Sequence, residues 1–253
     1  MADAASFPLY YPEALRPAFE GEAFLRRLGQ NLLLGPHSRL LVLCGIGRIA
    51  PAADLARGFG CTATLAVPSK DLDAVTRQVS GAGLEAWIRC VAVDGLSLPF
   101  DDGAFDAVFV DLRSPARLEE MARAVRRVLT PKGRVCLSYP VRVGRPLDTP
   151  GHRFWAQRLG EPLPLPRETL ATLERTGYEP QVIETLSDAE LDDFYRQLET
   201  ALQGAAGADP RAAVAREELG LYRAQGSKSL LSFSVLVARR REPGEKPPIA
   251  RGE

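Results

Sequence analysis

The chain has 253 residues, of which 45% are hydrophobic and 25% are charged, as in ordinary globular proteins. A chain of this length buries a large core without disulfides. Its 32 basic and 32 acidic residues cancel, which argues against bulk nucleic acid or an anionic membrane as partner. No apolar run reaches bilayer-spanning length and no signal-peptide pattern opens the sequence, so we expect no membrane span and a cytoplasmic location.

Cysteine and histidine are scarce. The four cysteines are widely spaced, lack any CxxC pair and each lie in an apolar stretch. This pattern predicts buried thiols in a reducing compartment rather than disulfides. With only two histidines, we expect no metal site. The residues concerned are Cys44, Cys61, Cys90, Cys136, His37 and His152.

The first elements are a helix and a strand. Apolar residues at helical spacing predict a helix over residues 13–34, ending at the Gly35-Pro36 pair, so that 1–36 form an N-terminal helical segment. Residues 39–44 are continuously apolar, as expected of a central strand that helices cover on both faces. A turn containing Gly45 and Gly47 follows, and then a predicted helix over 50–59.

Strands and helices then continue to alternate. Strict alternation predicts an α/β fold with a parallel sheet and right-handed crossovers. We predict strands at 61–67, within 84–93, at 105–112 and at 134–140, helices at 70–81 and 116–129, and a turn at 131–133.

The pattern changes after residue 140. Six prolines in residues 140–166 predict an ordered loop. A helix at 168–176, a strand at 178–186, helices over 187–225 split at 204–210, and a strand at 229–239 follow. We therefore expect one domain over 1–241, with a helical insertion at 187–227 and a disordered tail at 242–253.

The middle of the chain carries a specific series of motifs. Asp94 and Gly95 follow the third strand, then come Leu98-Pro99-Phe100, Asp-Gly-x-Phe-Asp at 102–106, and Arg-Val-Leu-x-Pro-x-Gly-Arg at 127–134. In this order and spacing, residues 37–140 resemble the class I S-adenosylmethionine-dependent methyltransferases, in particular the methyltransferase type 11-like group that includes quinone-biosynthesis C-methyltransferases. The resemblance implies a Rossmann-like, mostly parallel seven-stranded sheet with helices on both faces, an antiparallel last strand, and an insertion that lids the substrate site.

The same resemblance implies where the cofactor S-adenosylmethionine would lie. Ligands of open α/β sheets bind at the carboxyl ends of the strands. The carried-over contacts are the turn residues Cys44, Gly45 and Gly47, and Asp94 with Gly95. Asp94 would accept a hydrogen bond from the adenine amino group. The alternative for Asp94 is a structural Asx turn with Gly95.

Three positions depart from the family pattern. Leu41 stands where the family has an acid, Leu43 at its first glycine, and Val67 or Pro68 at the acid that takes the ribose hydroxyls. Ser69 and Lys70, which follow, do not replace a bidentate acceptor well, and Asp71 would reach the ribose from the next helix only after a local rearrangement. Each lost charge-assisted hydrogen bond removes about 1.5–3 kcal/mol. Two losses weaken binding by about a hundredfold or more, so the sequence predicts an atypical cofactor site.

Two residues are candidates for acid–base work. Asp111 ends the fourth strand, and His152 lies in the proline-rich segment, where an imidazole can act as a base near neutral pH. The structural alternatives are a helix cap for Asp111 and a surface position for His152.

Three functions fit these observations. The chain is a methyltransferase for a small-molecule substrate with an atypical cofactor site, or a catalytically inactive protein of this fold that binds a protein partner in a complex. A third possibility is a repurposed enzyme, such as a cyclase or isomerase, that uses the old pocket for another ligand. An exposed apolar patch on residues 187–225 would indicate a protein partner.

Overall fold

The computed structural model describes residues 22–43, 49–111, 118–143, 149–159, 163–203, 210–225 and 231–245. Its strands are β1 (Arg39–Leu43), β2 (Thr62–Val67), β3 (Ile88–Ala92), β4 (Phe105–Asp111), β5 (Leu129–Arg142), β6 (Tyr178–Thr185) and β7 (Leu231–Arg240). Its helices are α1 (Glu22–Asn31), α2 (Ala50–Phe59), α3 (Leu72–Gly81), α4 (Leu118–Val128), α5 (Pro150–Leu159), α6 (Pro166–Arg175), α7 (Asp188–Gln203) and α8 (Pro210–Gln225), and a 3₁₀ turn precedes α3 at Ser69–Asp71.

The described strands form one seven-stranded sheet in the order β3-β2-β1-β4-β5-β7-β6. The first five strands pair in parallel, and β7 is antiparallel to both β5 and β6. This arrangement confirms the predicted Rossmann-like fold, including its antiparallel last strand.

Both faces of the sheet are buried. Along β1, Leu40 and Val42 lie in one core cluster and Leu41 lies in the other, and none of the three is exposed to solvent. Successive side chains of a strand point to opposite faces. The continuous apolarity of this strand therefore follows from the helices that cover it on both sides.

The proline-rich segment differs from its prediction. Where a loop was expected over 140–166, the structure has helix α5, whose Phe154 and Trp155 are 4% and 1% exposed. Proline does not oppose this helix, because Pro150 occupies its first position, where a missing N–H and a fixed φ are tolerated.

The predicted turn at 131–133 lies inside β5 rather than before it. Pairing with β4 jumps from Leu129 opposite Phe105 to Arg134 opposite Ala107, which leaves the turn as a bulge. Lys132 takes a φ of 62° there. The residues expected to begin a disordered tail also form a turn over 242–245, in which Glu245 pairs with Arg239.

Two of the family-like motifs act structurally. Asp106, at the start of β4, accepts from the backbone N–H and the guanidinium of Arg39 at 2.9–3.2 Å. Arg127 donates to Asp102 and to the carbonyls of Phe100 and Leu98 at 2.6–2.9 Å. These contacts fix the loop between β3 and β4. The motif residues of this loop therefore have a structural role.

The described cysteines are free thiols. Cys61 and Cys136 are buried and Cys90 is half-buried. Burial raises the pKa of the Cys61 and Cys90 thiols. Among the residues with described positions, no three His, Cys, Asp or Glu side chains come together to hold a metal ion. In the same part of the chain, no helix has the length and apolarity needed to cross a membrane.

Candidate functional site

The carboxyl ends of the parallel strands meet at one edge of the sheet. In register, β1 ends at Leu43, β2 at Val67 and β3 at Ala92, side by side. This is the edge at which ligands bind in open α/β sheets.

The late helices lie at the same edge. The carboxyl end of β5 pairs Arg142 with Leu231, the first residue of the antiparallel strand β7. The chain between β6 and β7 therefore starts and ends at this edge, and its described helices are α7 and α8. Helix α5 follows β5 and begins at the edge too. That this insertion covers a substrate site stays a prediction.

The predicted glycine turn joins β1 to α2 at this edge. Cys44, Gly45 and Gly47 themselves lie outside the described residues. The flanking elements are as expected, because β1 ends at Leu43 and α2 begins at Ala50 with proline in its first turn. The N-terminus of α2, whose first N–H groups have no partner within the helix, is therefore close to this turn in the chain.

The apolar residues at the family's acid positions belong to the core. Leu41 is 0% exposed and packs with Val108 and Met121 in the cluster beneath α4. Val67 is 1% exposed in the cluster on the opposite face. Leu43, at the end of β1, is half-buried. None of these side chains offers a hydrogen-bond acceptor to a ligand at the edge.

One polar group described at this edge is Asp94, which is exposed just after β3. Its carboxylate accepts two hydrogen bonds from Ser69, which follows β2: the backbone N–H donates to Oδ1 at 3.0 Å and the hydroxyl to Oδ2 at 2.5 Å. Immediately before it, the Val93 N–H donates to the Val67 carbonyl at 2.7 Å and extends the pairing of the two strands. The side chain of Asp94 therefore bridges the gap between the ends of β2 and β3.

The two hydrogen-bond donors of Ser69 stabilise the ionised form of Asp94. Its hydroxyl, and then its backbone N–H, lower the pKa of Asp94, so the carboxylate is an anion near neutral pH. A carboxylate has about four lone-pair directions, and Ser69 occupies two. The remaining acceptor capacity is exposed to solvent at the carboxyl edge.

The sequence pointed to Asp94 but not to the role of Ser69. A serine two residues beyond one strand and an acid two residues beyond the next are the only signal. That signal becomes meaningful once the register shows β2 and β3 to be neighbours that end together. The glycine at 95 has a φ of 67° and forms the turn that follows.

The two acid–base candidates both belong to elements at this edge. Asp111 is the last residue of β4 and is paired in register with Ser138, while its side chain lies outside the described part. His152 was predicted to lie in a loop, but it lies in the first turn of α5. Its backbone N–H donates to Thr149 Oγ1 at 3.2 Å. Its side chain is half-buried.

Comparison with known proteins agrees with this geometry. Residues 40–137 match the family described as methyltransferase domain. Methyltransferase GfsG of Streptomyces halstedii is 32% identical over 133 residues, which is 50% of this chain and 47% of that protein. The match thus spans less than half the length of this relative.

Solved structures share the fold over most of the chain. The [4+2]-cyclase SpnF superposes with a TM-score of 0.70 at 23% identity, covering 88% of this chain and 81% of that one. A geranyl diphosphate methyltransferase solved in complex with S-adenosylmethionine gives 0.67 at 17% identity, covering 87% and 85%. Residues 40–137 therefore match a methyltransferase domain, and the chain as a whole has the fold of the class I S-adenosylmethionine-dependent methyltransferases.

Proposed function

We propose that this protein is an S-adenosylmethionine-dependent methyltransferase for a small-molecule substrate, and that it holds the adenosine part of the cofactor through Asp94. The observation that carries the proposal is the Asp94 carboxylate, fixed by Ser69 as an exposed anion between the ends of β2 and β3. In a chain of this fold, that gap is where an acceptor for the cofactor's amino and hydroxyl donors is needed.

The residues fit the two ends of the cofactor unequally. The adenosine end presents an amine and two ribose hydroxyls as donors, and Asp94 has acceptor capacity left for the amine. At the amino-acid end, Leu41 supplies no acceptor because its side chain is apolar, and it is also buried. The losses at Leu41 and Val67 still remove two charge-assisted bonds, or about a hundredfold in affinity, because Asp94 is already counted as the adenine contact.

When bound, the cofactor supplies an electrophilic methyl group. The protein then has to align the substrate and exclude water, and it need not form a covalent bond with the substrate. In this proposal α5, α7 and α8 cover the substrate at the carboxyl edge. His152 on α5 and Asp111 at the end of β4 are the side chains assigned to accept a proton from the substrate.

The burial of Leu41 and Val67 also supports an inactive protein that serves as a binding partner. One expectation of that alternative is not met in the described part of the chain. The large exposed hydrophobic residues there are Leu33 and Ile183, and neither lies on α7 or α8. The described insertion surface therefore offers no large apolar patch of the kind that marks a protein partner.

Calorimetric titration with S-adenosylhomocysteine tests the proposal. We expect binding to the wild type, an affinity about tenfold lower or worse in Asp94→Ala, and a smaller loss in Ser69→Ala. Glu85→Ala is the matched control, because this exposed acid lies before β3 at the opposite edge of the sheet.

The outcomes separate the three functions. Absence of heat at millimolar ligand, from protein shown to be folded, would refute cofactor binding and leave the binding-partner function. Binding that Asp94→Ala leaves unchanged would refute the assigned contact. Binding without methyl transfer to any small molecule tried would favour a repurposed enzyme.

A further inference from the structure

Strand β5 carries an arginine well beyond the end of its parallel neighbour. Strand β4 ends at Asp111, which pairs with Ser138, and β5 continues for four more residues to Arg142. At about 3.3 Å per residue, Arg142 lies roughly 13 Å past the end of β4, on the carboxyl side of the sheet. Backbone pairing holds it there, because Arg142 lies opposite Leu231 and its N–H donates to the Pro164 carbonyl at 2.9 Å.

The side chain of Arg142 points to the face of the sheet that α5, α7 and α8 cover. The pairing of β5 with β7 is regular from Arg134 to Arg142, so side chains alternate between the two faces along this stretch. Cys136 belongs to the core cluster that includes residues of α5, α7 and α8, whereas Val141 belongs to the other cluster. Arg142 is an even number of residues from Cys136 and therefore shares its face.

The guanidinium of Arg142 has an N–H group without an acceptor. Its Nη1 atom is buried and makes no hydrogen bond to any residue with a described position. Burying an N–H of a charged group costs free energy unless an acceptor meets it. The buried acid of the adjoining helices, Glu218, already accepts from the Tyr195 hydroxyl at 2.9 Å. Arg142 as a whole is only half-buried, so a ligand at the carboxyl edge can reach its side chain.

The segment that contains Arg142 is basic, although the net charge of the chain is zero. Residues 140–160 include four arginines and one acid, Asp148. Strands β5 and β7 and helix α5 contain no aspartate or glutamate. A local excess of positive charge attracts anions to this part of the edge.

We propose that Arg142 binds an anionic group of the substrate, a carboxylate or a phosphate, through the parallel N–H donors of its guanidinium. The anion is assigned to the substrate on the basis of the function proposed above, but its binding to Arg142 needs no cofactor. Because Arg142 lies roughly 13 Å beyond the end of β4, where Asp111 is assigned to the reacting group, the anion is the remote end of the substrate. It is not the part that receives the methyl group.

Calorimetric titration of the full chain with benzoate, phenyl phosphate and benzyl alcohol at pH 7, without cofactor, tests this binding. We expect at least one of the two anions to bind about tenfold or more tightly than the alcohol, and the tighter anion distinguishes carboxylate from phosphate. Arg142→Met keeps the length of the side chain and should lower the anion affinity about tenfold or more, while Arg142→Lys should lose less. Arg153→Met, the same change at an exposed arginine of α5, should alter the affinity less than about twofold.

Urea unfolding without ligand separates this role from a purely structural one. The midpoint of Arg142→Met should be at least as high as that of wild type, because the variant removes a buried N–H that lacks an acceptor. A clearly lower midpoint would show that Arg142 stabilises the fold and would overturn the proposal. So would an anion affinity unchanged in Arg142→Met, or no anion binding by folded wild type. Because no cofactor is added, failure here is distinct from failure of the S-adenosylhomocysteine titration.

Discussion

Replacing Leu41 by aspartate would restore the acid that the family carries at this position. By sequence alone, Leu41→Asp should therefore improve the cofactor site. The structure predicts the opposite, because the Leu41 side chain is 0% exposed and packs beneath α4 with Val108 and Met121. A carboxylate there would lie in the core without a cation.

The size of the effect follows from burial. Truncating a fully buried leucine costs about 2–5 kcal/mol of unfolding free energy. A buried charge without a partner lowers the unfolding free energy by roughly several kcal/mol more. The sum approaches the whole stability of a typical domain, about 5–15 kcal/mol, so we expect Leu41→Asp to be largely unfolded at pH 7.

Urea unfolding followed by circular dichroism measures this directly. Leu41→Ala separates the cavity from the charge and should lose about 2–5 kcal/mol while still folding. Leu43→Asp is the matched control, since this half-buried residue ends the same strand and should lose less. A Leu41→Asp protein within about 1 kcal/mol of wild type, with tighter S-adenosylhomocysteine binding, would refute the reasoning.

Two further predictions concern the fold. Gly133→Ala should lower the free energy of unfolding in urea by about 1–3 kcal/mol, because the new Cβ would lie 2.9 Å from the Thr130 carbonyl oxygen. Gly220→Ala, on the open surface of α8, should raise the free energy of unfolding by about 0.5–1 kcal/mol. Arg239 lowers the pKa of Glu245 from 4.5 to about 2, so this carboxylate stabilises the folded state above pH 4.5 and ceases to as the pH falls toward 2. Glu245→Gln should therefore be less stable than wild type at pH 7, and the difference should shrink on acidification.

The two fold predictions fail in recognisable ways. Losses of equal size in Gly133→Ala and Gly220→Ala would show that steric contact does not decide the glycine at the β5 bulge. The stability difference between Glu245→Gln and wild type should shrink on acidification. If it stayed constant from pH 7 to about pH 3, the ion pair with Arg239 would be excluded as its source.

Much of the sheet could be predicted because burial on both faces leaves a simple signature. The apolar run at 40–43 forms β1 together with Arg39, and the helical pattern at 50–59 is α2 with the same ends. Helix α5 was missed because the density of prolines around it outweighed its own sequence. Pro150 nevertheless occupies the first helical position, where it breaks no hydrogen bond.

The site could be predicted only in part. The departures at Leu41 and Val67 were visible in the sequence, but their complete burial was not. The pairing of Ser69 with Asp94 joins residues 25 positions apart. It depends on the register of β2 against β3 and on the conformation of two loops, neither of which sequence periodicity encodes.

Hydrogen–deuterium exchange of wild type with and without saturating S-adenosylhomocysteine tests the central claim most directly. The account predicts slower exchange on ligand binding at the amides of Ser69 and of residues 94–96, where β2 and β3 end, and no change at Ser38 and Trp87 near the opposite edge. Unchanged exchange at the Ser69–Asp94 bridge, at ligand concentrations that saturate the protein by calorimetry, would contradict it.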